Sequence, residues 1–230
     1  MADDATISRG VLADQVQDRL LEAILAGRYP PHSRIVETRV ARELGTSQAP
    51  VREALRGLEA LGVVEITPFR GARVRRPSAG ELLEAYVVRS ELEALGARLA
   101  LPRMTDADLA DLLARGEEMQ RAAAVGDLHG VAIADAGMHG RLIEIAANAT
   151  LSRVWRSLEP FSRTYLTLIV PGADARWTAD LHRPILEALK ARDVEAVVRA
   201  LDDHFAEVAA RLEAEWTVDA PAATEGDEPA

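Results

Sequence analysis

A chain of 230 residues, 48% of them hydrophobic, is long enough to bury two compact cores, and the absence of cysteine excludes disulfides and thiolate metal sites. Its formal net charge of −10 argues against a nucleic-acid partner unless positive charge is concentrated locally. Met1–Gly10 has no basic-then-apolar leader pattern. The brief run Leu166–Val170 falls far short of the roughly 20 residues a membrane helix needs, so the expectation is a cytoplasmic protein without a membrane partner.

Val11, Val16, Leu20, Ile24 and Leu25 recur near helical spacing and predict a first helix over 8–26, stopped by Gly27 ahead of Pro30 and Pro31. A second helix is expected over 37–44, ending at Gly45. Thr46 or Ser47 then caps a third that tolerates Pro50 in its first turn and runs to Leu61. Beyond Gly62 the period becomes strand-like: VVEIT, a turn at Pro68–Gly71, and ARVRR, which together read as a β-hairpin wing ending near Pro77. Two helices joined by a tight turn and followed by a basic hairpin form the pattern of a winged helix-turn-helix. Residues 34–76 hold nine arginines against five acids, so this segment is +4 within an acidic chain.

If the third helix enters a major groove, Ser47, Gln48 and Arg52 in its first turns face base edges, with Gln48 suited to adenine and Arg52 to guanine. Arg34, Arg39 and Arg56 are placed for phosphates, and Arg70, Gly71 and Arg73 at the wing for the backbone or an adjacent minor groove.

From 78 onward the chain reads as helices: 78–101 stopped by Pro102, 105–124 capped by Thr105 with Asp108 three residues on, 127–147 capped by Asp127, 150–170 capped by Thr150 and kinked at Pro160, 179–191, and 193–216. Six helices in about 140 residues predict an all-α bundle. The fold class is therefore mainly α, with domains at 1–77 and 78–216, a hinge at Pro77 and Ser78, and a disordered acidic tail at 217–230.

Asp135 and His139 are four apart and project from one helical face, while His182 and His204 lie on two later helices. One carboxylate and three imidazoles suit a five- or six-coordinate divalent ion with positions left for water or an effector's oxygen atoms, although hydrogen-bonded core histidines fit the same spacing. Zinc, nickel and manganese all accept such donors.

Through GRYPPHSRI, Leu44-Gly45, SQAPVREALRGLEALGVV and RGARV, residues 11–76 resemble the winged-helix domain of the GntR superfamily of bacterial transcription regulators. The sequence departs from it at His32, where glycine is usual, and at Gln48, where arginine is frequent. RSELEALGARLA, DAGMHGRLIEIAANATL and LHRPILEALKARDVEAVVRALDDHF resemble the FCD effector-binding domain of the FadR-type branch. That resemblance implies that Asp135, His139, His182 and His204 hold a divalent cation and that Arg89 and Asn148 approach an effector cavity, while Pro184, two residues after His182 in the first turn of the expected helix, is placed to alter the aim of that imidazole. For Arg89 a salt bridge with Glu93 is the simpler role.

The chain is thus expected to be a transcription regulator, read as a repressor, binding a pseudo-palindromic operator as a homodimer and responding to a small organic acid. Two rivals stand beside it. One is a metal-dependent hydrolase or lyase with a DNA-binding appendage, using Glu144 or Asp203 as its acid; the other is the same regulator with a metal-free cavity.

Overall fold

The computed structural model describes residues 9–68, 70–164 and 174–218. In the N-terminal part, α1 (Arg9–Leu25), α2 (Glu37–Glu43) and α3 (Gln48–Ala60) pack with β1 (Arg34–Ile35), β2 (Val64–Thr67) and β3 (Gly71–Val74). The sheet is antiparallel in the order β1-β3-β2, with Val64 opposite Val74, Thr67 opposite Gly71 and Arg34 opposite Arg73. The hairpin was legible from its alternation, but β1 was not expected, because two residues are too few to show a period.

The α2–α3 turn closes at Gly45, whose φ of +65° is left-handed and favours glycine, and Thr46 N–H reaches back to the Ala41 carbonyl. Val16, Leu20 and Ile24 of α1 meet Val51, Leu55 and Leu58 of α3 and Val64, Ala72 and Val74 of the sheet in one apolar cluster. Burying that face of α3 turns Gln48, Arg52 and Arg56, spaced four apart, toward solvent.

The C-terminal part contains α4 (Ala79–Ala100), a short 3-10 turn at Leu101–Arg103, α5 (Asp106–Ala124), α6 (Leu128–Ile145), α7 (Ala149–Thr164), α8 (Ala175–Asp180), α9 (Arg183–Ala191) and α10 (Val194–Val218). The helix expected over 179–191 is two helices, making seven rather than six among the described residues. Pro184 supplies the reason, since in a continuous helix its ring would strike the carbonyl four residues earlier, at Asp180, where α8 ends. As the second residue of α9, within its first turn, the same proline is tolerated, and His182 becomes the residue that precedes the helix.

Ser78 and Glu81 form a reciprocal cap on α4, so the expected hinge residue Ser78 belongs to the helix start. Thr105 and Asp108 do the same for α5, and Asp127 caps α6. α7 begins one residue earlier than expected, because Asn148, not Thr150, accepts the backbone N–H groups of Thr150 and Leu151. α10 extends two residues into the segment expected as tail; residues 219–230, like Leu166–Val170, lie outside the described residues.

Met119, Met138, Leu142, Ile185, Leu189 and Leu201 centre the main core of the bundle, and Leu82, Tyr86, Phe205 and Leu212 form a second cluster between α4 and α10. No helix of the described residues is long and apolar enough to cross a membrane.

Candidate metal centre and DNA-reading face

Asp135 and His139 come from the buried face of α6, His182 from the α8–α9 break and His204 from α10, and all four side chains are buried. Donor atoms from the four all lie within 4.8 Å of one another. His182 Nε2 stands 2.8 Å from Asp135 Oδ1 and 3.1 Å from His139 Nε2, and His139 Nε2 is 3.7 Å from the same carboxylate oxygen.

The other ring nitrogens fix the tautomers. His182 Nδ1 lies 2.9 Å from the Thr178 carbonyl, which only accepts, so Nδ1 carries the hydrogen and Nε2 a lone pair. His139 Nδ1 is directed onto the Glu93 carboxylate, with the same consequence. Two imidazole lone pairs and a carboxylate oxygen therefore converge with no hydrogen among them. Such a group is stable only when a positive charge, a proton or a metal ion, sits between the donors.

The donor set fits a divalent ion. Metal–ligand bonds of about 2.1 Å put neighbouring donors roughly 3.0 Å apart at right angles and 3.4 Å apart in a tetrahedron, a range the three observed separations bracket. His204 Nδ1 is buried with no hydrogen-bond partner in the protein, which leaves it open to a ligand. Burial, and after it the neighbouring His182 and His139, hold His204 well below the usual imidazole range, so it is a neutral donor at ordinary pH. Asp135 is held below the usual carboxylate range: burial opposes this, but a proton carried on the facing His182 or His139, together with Arg89, lowers its pKa further than burial raises it. With Trp177, Leu181, Pro184 and Glu207, His204 also walls a cavity of about 280 Å³.

Glu93, singled out in the sequence only as a salt-bridge partner, is the residue whose importance was missed. It is fully buried on α4 and accepts from Arg89 Nε at 2.7 Å and Trp155 Nε1 at 2.8 Å through one oxygen, while the other faces His139. Burial pushes its pKa up, yet the facing His139 and Arg89 overcome this and bring it to about 2. The signal was available: Leu82, Tyr86, Arg89, Glu93, Ala97 and Ala100 share the buried phase of α4, so two charged residues stand where apolar ones belong.

Arg89 does form the salt bridge with Glu93, and it remains available for more. Its guanidinium lies between the rings of Trp155 and Phe205, at 5.3 and 5.5 Å, and one terminal nitrogen is buried without a partner. Asn148 is not brought into this group: it is exposed, and its side-chain oxygen is occupied capping α7.

On the N-terminal part, Arg34, Arg39, Ser47, Gln48, Arg52, Arg56, Arg70 and Arg73 are all exposed. Ser47 precedes α3 without using its side chain as a cap, which leaves the hydroxyl free. Arg52 is held by Glu37 of α2 through two bonds of 3.1 Å, and Arg39 pairs with Glu43. At the wing, Gly71 has φ +83°, and a Cβ there would meet Arg34 Nε at 3.4 Å; Arg73 donates to the His32 carbonyl. Strand β1 thus places Arg34 beside Gly71 and Arg73.

Residues 12–74 match the family "Bacterial regulatory proteins, gntR family", and residues 84–207 match the FCD domain. A probable D-xylose utilization operon transcriptional repressor of Paenarthrobacter nicotinovorans is 36% identical over 206 residues, covering 88% of this chain and 91% of that protein. The HTH-type transcriptional regulator McbR of Escherichia coli K12 is 28% identical over 79% of this chain and 83% of its own length. The solved structure of E. coli McbR/YncC superposes with a TM-score of 0.76 at 26% identity, over 89% of this chain and 98% of that one. A putative GntR regulator from Rhodococcus sp. RHA1 gives 0.75 at 25% identity, over 88% and 97%. The matched families and relatives are regulators rather than enzymes, which turns the hydrolase or lyase reading aside. A winged helix-turn-helix with an exposed basic face, followed by an FCD bundle, makes this chain a transcriptional regulator of the GntR family.

Proposed function

We propose that this protein is a metabolite-responsive repressor in which residues 1–77 read an operator and residues 78–216 sense a small organic acid with the help of a divalent metal ion. The observation that carries this reading is the convergence of Asp135, His139, His182 and His204 beside the unpartnered nitrogen of Arg89. When bound, the ion supplies positive charge and open coordination positions for carboxylate oxygens. Thr178 and Glu93 hold two of the ligand rings in the donor tautomer, and Arg89 offers an N–H group to the same anion. The name of the Paenarthrobacter relative supports repression over activation.

A homodimer is favoured by two considerations. One recognition helix reads too few base pairs for a specific operator, so paired half-sites are needed. In addition, α4 exposes Val88, Leu95 and Leu99 on one face, with Val87 alongside, an apolar stripe that a second copy would cover. A ligand that prefers one relative placement of the two DNA modules then changes operator affinity by a coupling of about 1–3 kcal/mol.

The test uses tag-free protein purified without chelator. Elemental analysis should find one divalent ion per chain. Fluorescence anisotropy should show preference for the DNA upstream of the protein's own gene over random competitor at moderate salt. His139→Ala should abolish metal binding and the response to small carboxylates while leaving DNA binding intact. Absence of stoichiometric metal with full response after His139→Ala would overturn the metal, and absence of any sequence preference would overturn the repressor.

A further inference from the structure

We propose that Glu93 is the positioning residue through which metal occupancy and carboxylate binding become interdependent, an inference that rests on the metal-and-acid reading of the same site. Its two oxygens serve different partners. Oε1 accepts from Arg89 Nε and Trp155 Nε1 at 2.7 and 2.8 Å, and a terminal nitrogen of the same guanidinium is the one left without a partner. Oε2 faces His139 Nδ1, and the opposite nitrogen of that ring points at Asp135 and His182. With no exposed surface, the carboxylate is out of reach of bulk solvent.

Charge gives the sign of the coupling. Asp135 and Glu93 are negative, Arg89 is positive, and the imidazoles must be neutral to act as ligands. The metal-free group, with one proton held among its donors, is therefore neutral; a divalent ion that displaces this proton makes it +1, and a bound monocarboxylate brings it back to zero. Metal loading makes the site attract an acid more strongly, and by reciprocity a bound acid holds the metal more tightly. Replacing the Glu93 carboxylate with a neutral amide leaves Arg89 uncompensated and raises the charge by one in the metal-free and the loaded site alike, so a loss of coupling reports lost positioning rather than charge. The amide also offers a single acceptor oxygen, so it cannot serve His139 and the Arg89–Trp155 pair together.

The experiment uses full-length protein with Zn2+, measured against a chromophoric chelator, and acetate as the probe anion, titrated calorimetrically with and without Zn2+. In wild type, zinc loading should raise acetate affinity. In Glu93→Gln the zinc affinity should fall by about 10–100-fold, as for other carboxylates that orient a metal-bound histidine. The zinc-dependent gain in acetate affinity should also shrink by at least about threefold, and Glu93→Asp, which keeps the charge, should recover part of both.

Nitrogen-15 NMR of the imidazoles supplies a signature that mere loss of packing would not move. His139 should be Nδ1-protonated in metal-free wild type and should lose that preference in Glu93→Gln. A zinc affinity lowered by less than about tenfold, or an unchanged acetate gain, would overturn the inference, since a tenfold change is the least the proposed role allows. If neither variant folds, the wild-type spectrum decides, because a metal-free His139 protonated on Nε2 overturns the inference as well. Wild type that binds no zinc at all instead removes the metal reading beneath it, and is a distinguishable outcome.

Discussion

The two parts of the molecule put their working residues in opposite environments. In the winged module Gln48, Arg52, Arg56 and Arg70 stand in solvent, while Val51, Leu55 and Leu58 hold α3 from its other side. In the bundle Arg89, Glu93, Asp135, His139, His182 and His204 occupy positions that apolar side chains fill elsewhere on the same elements. Function and stability are therefore separable in the DNA reader and inseparable in the sensor. A buried polar network is tolerable only when every member is satisfied, so the sensor's fold depends on the groups that would bind its ligands.

The sharpest way to break this contrast is Glu93→Ala. The substitution removes the acceptor of Arg89 and Trp155 and leaves a buried guanidinium without its counter-charge, a loss of about 3–5 kcal/mol. Urea unfolding followed by tryptophan fluorescence measures it, and all three tryptophans (Trp155, Trp177 and Trp216) lie in the C-terminal part. A loss below about 1 kcal/mol, typical of an exposed pair, would mean that the sensor is no more dependent on its polar groups than the wing is.

Acid should separate the two parts next. The Glu93 carboxyl is depressed from 4.5 to about 2, so its stabilisation is fully present above the ordinary carboxylate value and is lost as pH falls from about 4.5 toward 2. At 1.36 kcal/mol per unit this single group contributes on the order of 3 kcal/mol. Tryptophan-monitored stability should decline across that window in wild type and less steeply in Glu93→Gln, and equal slopes would remove Glu93 as the cause.

Arg52→Ala tests the opposite side of the comparison. Its ion pair with Glu37 is solvent-exposed, so stability should stay within about 0.5 kcal/mol, while specific operator binding should weaken by about 1–3 kcal/mol, roughly 5- to 150-fold. Anisotropy against operator and random DNA reads both the loss and its specificity. A uniform loss on every sequence would assign Arg52 to phosphate rather than to a base.

The same contrast explains what the sequence disclosed. The wing, the α2–α3 turn and the capping box of α5 depend on neighbours close in the chain, and such patterns are visible in a string of letters. Convergence is harder: Asp135 and His139 declare one face by their spacing, but nothing local says that His182 ends up 3.1 Å from His139. Pro184 carried more information than it was given credit for, since a proline that ends the helix at Asp180 is what frees His182 from a helical position. Asn148 was misplaced because a polar residue near a cavity motif and a polar residue capping the next helix have the same letter. Glu93 was named for the right contact and underestimated, because its second and third partners come from α6 and α7.

His32 gives the smallest effect and the finest test of separability. The residue stands where glycine is usual in the GntR superfamily, and its φ of +65° is the left-handed conformation that glycine adopts without penalty. Its backbone N–H donates to the Val74 carbonyl and its carbonyl accepts from Arg73, so the turn is held to the wing by main-chain groups that any residue supplies. His32→Gly removes roughly 1 kcal/mol of strain and adds part of that back as chain entropy in the unfolded state, leaving a net gain of a few tenths of a kcal/mol. His32→Ala keeps the strain without the entropy change and should be no more stable than wild type. Thermal melts of the three proteins, with operator affinity measured alongside, distinguish the cases: a rise of about a degree for glycine alone, at unchanged affinity, is expected for a residue that shapes the loop without touching DNA. Equal melting temperatures for the glycine and alanine variants would show that the turn stores no strain at this position.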